Sequence, residues 1–588
     1  MSPRLSYRLA ISEPHARRID VEMELRQLEG RREQVVCMPV WTPGSYKVRE
    51  YSKHVLGVRC RDGQGRELAW EKRDKASWRI DLGEATTLRI NYQVYAHQVS
   101  PRFNHVDTSH AFINPVATCM YPEGELNLEV EAQVEVPQGW NLYCGLEADE
   151  GHLRADDLDH WFDSPIELGD HVEEHFQIEG KDHQVVGWSE DDVDLEGLKR
   201  DLPAIIEAHA DLFGEIPYDR YVFINHILPG RWGGLEHRHS SVNLFTPEAV
   251  NAYEIDEDEG RDEDYLNVLR LLSHEHFHAY HVKRLRPKEL GPFDYQRENY
   301  TSSLWAVEGV TSYYDSLQVM RAGLMDVETY LEGLEKRISS VEKVPGRLEQ
   351  SLEESSFDAW IGLYRRDENT VNSTVSYYSK GELAVWLIDL WIRVASGGEK
   401  SMDDVLRWMW QHYVVDGDEG FEARDMERGV REVSGEDPGQ VFEALVYRAE
   451  EIDYGAFLSP MGLELSWEQP SRGWLGMETK TVEGQRAEIK WVARHSPAER
   501  GGLAPGDELV AIDGRAVRKE EWKPLVERYE GGQKVRVHVV RRGRLKAMDV
   551  EVGSSPRRNP KLERSDELSD SQNELLEGWL GQSQWEQS

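Results

Sequence analysis

Ser273-His274-Glu275-His276-Phe277-His278 is the stretch from which the rest of this chain is read. It contains the pattern H-E-x-x-H. On a helix, residues four apart share a face, so His274 and His278 can grip one metal ion together. Glu275 lies beside them, placed to move a proton on a water that the ion activates. Leu266, Leu269, Leu272 and Phe277 give the helix apolar positions to bury, and the pattern predicts it over residues 265–285. A short motif also arises by chance, and a helix carrying hydrogen-bonded histidines is the alternative. His276 points elsewhere and has no assigned role. His281 falls one further turn along, as a packing residue or a neighbour of the site.

A catalytic zinc site needs a third protein ligand and one open position. Glu308, thirty residues after His278, is the candidate. The interval leaves room for a loop and a second helix, predicted over residues 304–322. Leu304, Val307 and Leu317 point that helix inward, where a charged Glu308 is costly unless paired or bound to metal.

The chain has 588 residues, enough for several domains. Its net charge of -40 argues against nucleic acid as a partner, because a polyanion would be repelled. No apolar run approaches the ~18–20 residues of a membrane span. The first residues lack the apolar core that an export signal needs, so the expectation is a cytoplasmic protein. Cys37, Cys60, Cys119 and Cys144 form no C-x-x-C pair and read as free buried thiols.

Residues 1 to about 175 alternate apolar and polar side chains at 5–11, 19–25, 88–95 and 126–136, the pattern of an all-β domain. Within it, Pro39–Tyr46 (PVWTPGSY) and Arg102-Phe103-Asn104-His105 read as loop packing when taken alone. Helical patterns dominate from 195 to 450, at 195–213, 327–341, 380–395, 402–413 and 438–449 besides the two helices above. A strand at 221–224 precedes Arg231-Trp232-Gly233-Gly234-Leu235-Glu236-His237. The acidic run 254–264 reads as a solvated loop before the metal helix. Short strands return at 487–492, 508–512 and 535–540, with a helix near 520–528. In the tail, Leu575, Leu576, Trp579 and Leu580 suit a short docking helix, with disorder as the alternative.

Two resemblances sharpen this outline. Ser496-Pro497-Ala498, Gly501-Gly502-Leu503 and Gly506-Asp507, followed by Leu509–Gly514, resemble a PDZ domain. Trp41–Tyr46, HEHFH with Val282–Pro287, and Glu308-Gly309 with Thr311 and Tyr313-Tyr314 resemble the glycyl aminopeptidase family, PDZ-bearing gluzincin metallopeptidases distantly related to aminopeptidase N. The resemblance implies a multidomain α+β chain. An N-terminal β domain (1–175) would precede a thermolysin-like, mostly α catalytic domain (176–462), a PDZ domain (463–553) and a polar tail (554–588).

It also implies roles. Gly233-Gly234-Leu235-Glu236-His237 resembles the loop that anchors substrate, with Glu236 on the free α-amine and His237 where the relative has Asn. Tyr377-Tyr378-Ser379-Lys380-Gly381 resembles the segment whose tyrosine, here Tyr378, stabilises the tetrahedral intermediate. Asp367-Glu368-Asn369 also resembles a family segment, and no role is assigned to it. One Zn2+ per chain would sit on His274, His278 and Glu308, with Glu275 as base. Substrates would be peptides with a free N-terminus and a small first residue such as Gly or Ala. Leu475-Gly476-Met477 is the expected carboxylate loop of the PDZ domain, open to a C-terminal peptide, to packing on the catalytic domain, or to a homo-oligomer contact. A zinc endopeptidase, another zinc hydrolase and a metal-free PDZ scaffold are the competing readings.

Overall fold

Period-two burial builds the first part of the fold. Leu5–Ala10 buries Leu5, Tyr7 and Leu9, and Thr87–Tyr95 buries Leu88, Ile90, Tyr92 and Val94. These strands belong to a seven-stranded sheet in which Leu5–Ala10 pairs antiparallel with Arg18–Arg26 and parallel with Val130–Glu135. A four-stranded sheet around Glu33–Cys37 shares its core. The computed structural model describes residues 4–256, 260–417, 419–468, 473–482, 486–519, 521–554 and 558–581. Their contacts divide into two compact units, 1–301 with 314–326 and 406–423, and the remainder.

In the first unit, the β domain joins a five-stranded sheet. Lys181–Trp188, Arg220–Ile227 and Ser240–Phe245 run parallel, Val172–Ile178 flanks one side, and Gly233–Glu236 forms the other edge. Arg220–Ile227 is buried almost throughout, as a central parallel strand covered on both faces should be. Phe112 and Tyr143 of the β domain pack with Val186, Val222, Ile224 and Val242 of this sheet. Beside that apolar joint lies a polar hub. Buried Glu167 accepts from His110 Nδ1 at 2.8 Å, His171 Nε2 at 2.8 Å and His226 Nε2 at 2.9 Å.

The metal helix is shorter than its apolar pattern predicts. It spans Glu263–Phe277, with the Asp262 side chain capping the N–H groups of Asp264 and Tyr265. His278 is its C-cap, and turns bonded to the carbonyls of Phe277, His278 and Tyr280 replace helix from there to residue 285. His281 is therefore not on the helix. The acidic run contains two short paired strands, Ile255–Asp256 and Gly260–Arg261; residues 257–259 lie outside the described residues. All four cysteines are free and buried.

The second unit is helical around Val327–Glu342 and Ser379–Ala395 and carries the PDZ sheet. Residues 304–322 are not one uniform helix: a π-helical turn, Trp305–Gly309, precedes Val310–Arg321. PDZ strands lie at Arg486–Val492, Glu508–Ile512 and Lys534–Arg541. The helix expected near 520–528 is Trp522–Val526, residue 520 lying outside the described residues. The G-D of the PDZ motif has a structural reason: buried Asp507 accepts both Nε and Nη2 of Arg541 at 2.6 Å. Of the tail, Asp570–Leu580 is a helix that buries Leu575, Leu576, Trp579 and Leu580, and Trp579 Nε1 donates to Tyr313 Oη at 3.1 Å. Residues 555–557 and 582–588 lie outside the described residues. Among the described residues, no helix is long and apolar enough to cross a membrane.

The hub makes the joint in the first unit sensitive to acid. Burial raises the Glu167 pKa, but His110 and His226 and the donated hydrogen bonds outweigh it and hold the carboxyl well below its ordinary 4.5. Burial pushes His110 from 6.5 down to about 4. Both groups take up protons more readily in the unfolded chain, so their stabilisation is complete above about pH 6.5 and is lost as pH falls. Glu167→Gln should cost on the order of 3 kcal/mol at neutral pH. Because Glu167 raises the His110 pKa, its loss should deepen the fall of the urea midpoint between pH 6.5 and 4 and remove the further fall below 4.5 that Glu167 itself contributes. A variant midpoint that follows the wild type through that range would remove the hub from the account.

Candidate active site

In the first unit, the metal helix presents His274 and His278 with their Nε2 atoms 3.2 Å apart. The other ring nitrogens decide what lies between them. His274 Nδ1 donates to Asp315 Oδ2 at 3.1 Å, and His278 Nδ1 donates to the His281 carbonyl at 2.9 Å. Each neutral ring then keeps its lone pair on Nε2. Two facing lone pairs repel unless a cation lies between them. The spacing is close to the roughly 3.3 Å edge of a tetrahedron whose ligands bind zinc at ~2.0–2.1 Å. The donor set fits a metal ion on this observation.

His276 faces away, as expected, and is fully engaged. Its Nδ1 meets His209 Nδ1 at 2.8 Å and its Nε2 meets Tyr218 Oη at 2.5 Å, which fixes the helix against Glu196–Phe213. Burial drives His276 well below the ordinary histidine range and keeps it neutral. His281 contributes its carbonyl; its ring is buried among Phe277 and Phe421.

Glu275 leaves the helix toward the edge strand Gly233–Glu236. A carboxylate oxygen of Glu275, one of Glu236 and a ring nitrogen of His278 lie within 4.8 Å of one another. The glycines make this possible. A Cβ on Gly234 would lie 2.0 Å from Glu275 Oε1, and one on Gly44 would lie 2.5 Å from Glu236 Oε1. Gly44 also has φ +78°, so a side chain there is strained whatever the space. The PVWTPGSY turn is thus a wall of the site and not loop packing alone. Its Trp41 is tied by Nε1 to the Asp294 carbonyl at 2.8 Å. Arg102, in the second stretch set aside as packing, reaches the Gly234 carbonyl.

His237, where the relative has Asn, turns from the anchor to a buried ionic cluster. Its Nδ1 lies 2.9 Å from Asp163 Oδ1, which also takes Lys283 Nζ at 2.8 Å. Burial lowers the Lys283 pKa, but Asp163, Glu236 and Glu275 together outweigh it and raise it. This cation faces the two carboxylates of the site and had no signal in the sequence beyond its place after the metal helix. Gly44, Glu236, Asp163, Lys283 and Arg238 also line a cavity of about 540 Å3.

In the second unit, Glu308 sits on the π-helical turn, 3% exposed, and Tyr378 Oη donates to its Oε1 at 2.9 Å. Burial, then the Glu308 charge, pushes the Tyr378 phenol up and keeps it protonated. The glycines of both motifs explain the approach: a Cβ on Gly309 would lie 2.7 Å from Gly381 Cα. Tyr377 stacks on Tyr378 with centroids 4.8 Å apart. Asp367 closes its own turn onto Asn369 and Thr370.

At the PDZ loop, Leu475 is buried, Gly476 has φ +76°, and Met477 starts the edge strand Met477–Val482. Leu475, Gly476, Met477 and Trp522 line a cavity of about 440 Å3 together with Val344 and Val371 of the helical part. Asn372 clamps the domain there, donating to the Val492 carbonyl at 2.9 Å and accepting from Arg494 N at 2.7 Å. Of the uses open to this module, packing on its own chain is realised.

Three family models match the chain: Peptidase M61 N-terminal domain over residues 6–170, M61 glycyl aminopeptidase over 267–384, and PDZ domain over 488–541. A crystal structure of an aminopeptidase N family protein from Idiomarina loihiensis has a TM-score of 0.91 and 28% identity, covering 98% of this chain and 100% of that one. An M1 zinc metallopeptidase from Deinococcus radiodurans gives a TM-score of 0.46 at 13% identity, over 76% of this chain and 94% of that one. A probable periplasmic serine endoprotease DegP-like from Hahella chejuensis is 36% identical over 97 residues, 14% of this chain. The chain spans 21% of the length of that relative.

The contact between Gly309 and Gly381 offers a direct test. Gly309→Ala inserts a methyl where no room exists and should cost about 1–3 kcal/mol. A urea midpoint equal to that of the wild type would show that the two segments are not held at this distance.

Proposed function

The chain belongs to the M61 glycyl aminopeptidase family, and on that premise we propose that it is a zinc-dependent aminopeptidase. It removes the first residue from peptides with a free N-terminus, with small residues such as Gly or Ala preferred. The observation that carries the reading is the convergence of Glu236, Glu275 and His278 beside a glycine-bearing edge strand. A metal ligand, a base and an amine anchor are the parts that exopeptidase chemistry needs in one place.

His274, His278 and Glu308 hold one zinc ion. Support for the third ligand comes from its burial: Glu308 is 3% exposed, where a carboxylate is costly unless paired or bound to a cation. Zinc, when bound, supplies Lewis-acid polarisation of the scissile carbonyl and a water acidic enough to react near neutral pH.

The chain's own residues do the rest. Glu236 pairs with the substrate ammonium and fixes the end of the peptide, which sets the register of cleavage. The edge strand Gly233–Glu236 offers main-chain partners to an extended substrate, which Gly233 and Gly234 let approach closely. Glu275 takes the proton of the attacking water and delivers it to the leaving amine. Tyr378, kept as a phenol, donates to the oxygen on which charge develops; one such donor is worth on the order of 3 kcal/mol. The groove at Leu475, Gly476 and Met477 receives a peptide C-terminus.

A panel of aminoacyl-aminocoumarin amides tests the reading. Turnover should be highest for Gly and Ala, should vanish with a chelator, and should fall by several orders of magnitude in Glu275→Gln while zinc content stays at one per chain. Glu236→Ala should lose the free-amine substrates. Undiminished cleavage of N-terminally blocked peptides by Glu236→Ala would identify an endopeptidase instead, and activity surviving Glu275→Gln would refute the mechanism.

A further inference from the structure

We propose that Arg102 is a positioning residue for the hydrolysis assigned above: its guanidinium holds the two walls of the site at a fixed separation. The kinetic part of this inference rests on that assignment; the structural part does not.

Arg102 is itself held from several sides. The Tyr51 hydroxyl donates to the Arg102 carbonyl at 2.9 Å, and Arg102 N donates to Ser100 Oγ at 3.3 Å. The next residue, Phe103, packs its ring edge-on to Tyr51 at 5.6 Å and lies under the Arg49 guanidinium at 5.5 Å. From this fixed base the side chain reaches two acceptors. Its Nε donates to Ser45 Oγ at 3.1 Å, and its Nη2 donates to the Gly234 carbonyl at 3.1 Å.

Those acceptors belong to the two walls. Ser45 follows Gly44, which lies directly against the Glu236 carboxylate. Gly234 lies directly against the Glu275 carboxylate. One planar fork therefore joins the residue beside the amine anchor to the residue beside the base. The strand Gly233–Glu236 is a short sheet edge, bonded on one side to Ser240–Phe245. Arg102 places a donor on the carbonyl of Gly234 at this edge, where sheet pairing alone leaves one side of the strand open. Glycine backbones adopt many conformations, so this restraint matters more at Gly234 than at a residue with a side chain. The choice of arginine follows from geometry. Its donors diverge in a rigid plane and can serve two acceptors at once, whereas lysine is a single mobile point of charge. The residue acts through Gly234 and Ser45 and is not assigned a contact with substrate.

The separation of the walls fixes how far a held ammonium lies from the group that moves the proton. A misplacement of about 1 Å in such a site costs up to 10²-fold in rate. Arg102→Ala, assayed on glycyl- and alanyl-aminocoumarin, should therefore lose about 10- to 100-fold in kcat, with a smaller change in KM and with zinc content and melting temperature retained. Arg102→Lys should recover part of the loss. Added guanidinium should restore part of the kcat of Arg102→Ala and none of that of Glu236→Ala, a distinction that a merely structural role would not produce. Amide hydrogen exchange across Gly233–Glu236 should quicken in Arg102→Ala while the metal helix is unchanged.

Wild-type kcat in Arg102→Ala, or unaltered exchange in that strand, would overturn the proposal. If Arg102→Ala does not fold, Arg102→Lys carries the same readouts, and wild-type kcat in it overturns the fork. A wild-type protein that hydrolyses no aminoacyl amide would defeat the assigned function alone, and strand exchange would still decide whether Arg102 holds Gly234.

Discussion

Two imidazole nitrogens face each other at 3.2 Å with their lone pairs directed into the same space, and much of the first unit serves to keep them there. Asp315 holds the far nitrogen of one ring, and the carbonyl of His281 holds that of the other. The second contact requires the chain to stop being helical immediately after His278, because a helical carbonyl three residues on would point along the axis and not back at the ring. The early end of the metal helix is therefore part of the site. The third histidine, His276, is spent on His209 and Tyr218 to prevent the helix from rotating.

Around that centre, glycine sets the distances. Gly44 against Glu236, Gly234 against Glu275 and Gly309 against Gly381 are three places where a single methyl would overlap a neighbour. Each brings a polar group into position that would otherwise stand farther away: the Glu236 carboxylate, the Glu275 carboxylate, and the tyrosine that reaches Glu308. Read this way, T-P-G-S, G-G-L-E, E-G and Y-x-K-G share a common physical content. They are close approaches first, and the residues that carry chemistry are those for which the approaches make room.

This explains which parts of the site could be read from sequence. His274, Glu275 and His278 are local, since one helical period brings them together. Glu308 was legible through the cost of burying a charge among Leu304 and Val307. The β domain was legible because a strand writes its burial into every second residue, as in Leu5–Ala10. Gly44 and Arg102 were not, because they meet Glu236 and Gly234 more than a hundred residues along the chain and no periodicity encodes that meeting. The resemblance supplied Glu236 and Tyr378 but left PVWTPGSY without a role, and only the position of Gly44 on the Glu236 carboxylate provides one. The end of the metal helix was missed for a related reason: Leu266 to Leu285 keeps an apolar pattern, while the hydrogen bond that ends the helix is made by a carbonyl, which has no letter in the sequence.

The hub at Glu167 shows that residue type does not decide what such a cluster does. It has two histidines and a glutamate with ligand atoms near one another, and its histidines can be compared with His274 and His278. The criterion is the remaining ring nitrogen. At His274 and His278 it finds an acceptor, so the proton resides there and the inner nitrogen carries the lone pair. His110 Nε2 and His226 Nδ1, by contrast, are buried with no hydrogen-bond partner among the described residues. A proton on either would be stranded, so the protons lie on the inner nitrogens and are donated to Glu167. Glu167 accepts a third from His171 and is satisfied as an anion by donors alone. Paired histidines thus turn lone pairs toward each other in one place and donate to a carboxylate in the other, and the difference is set by what the outer face of each ring touches.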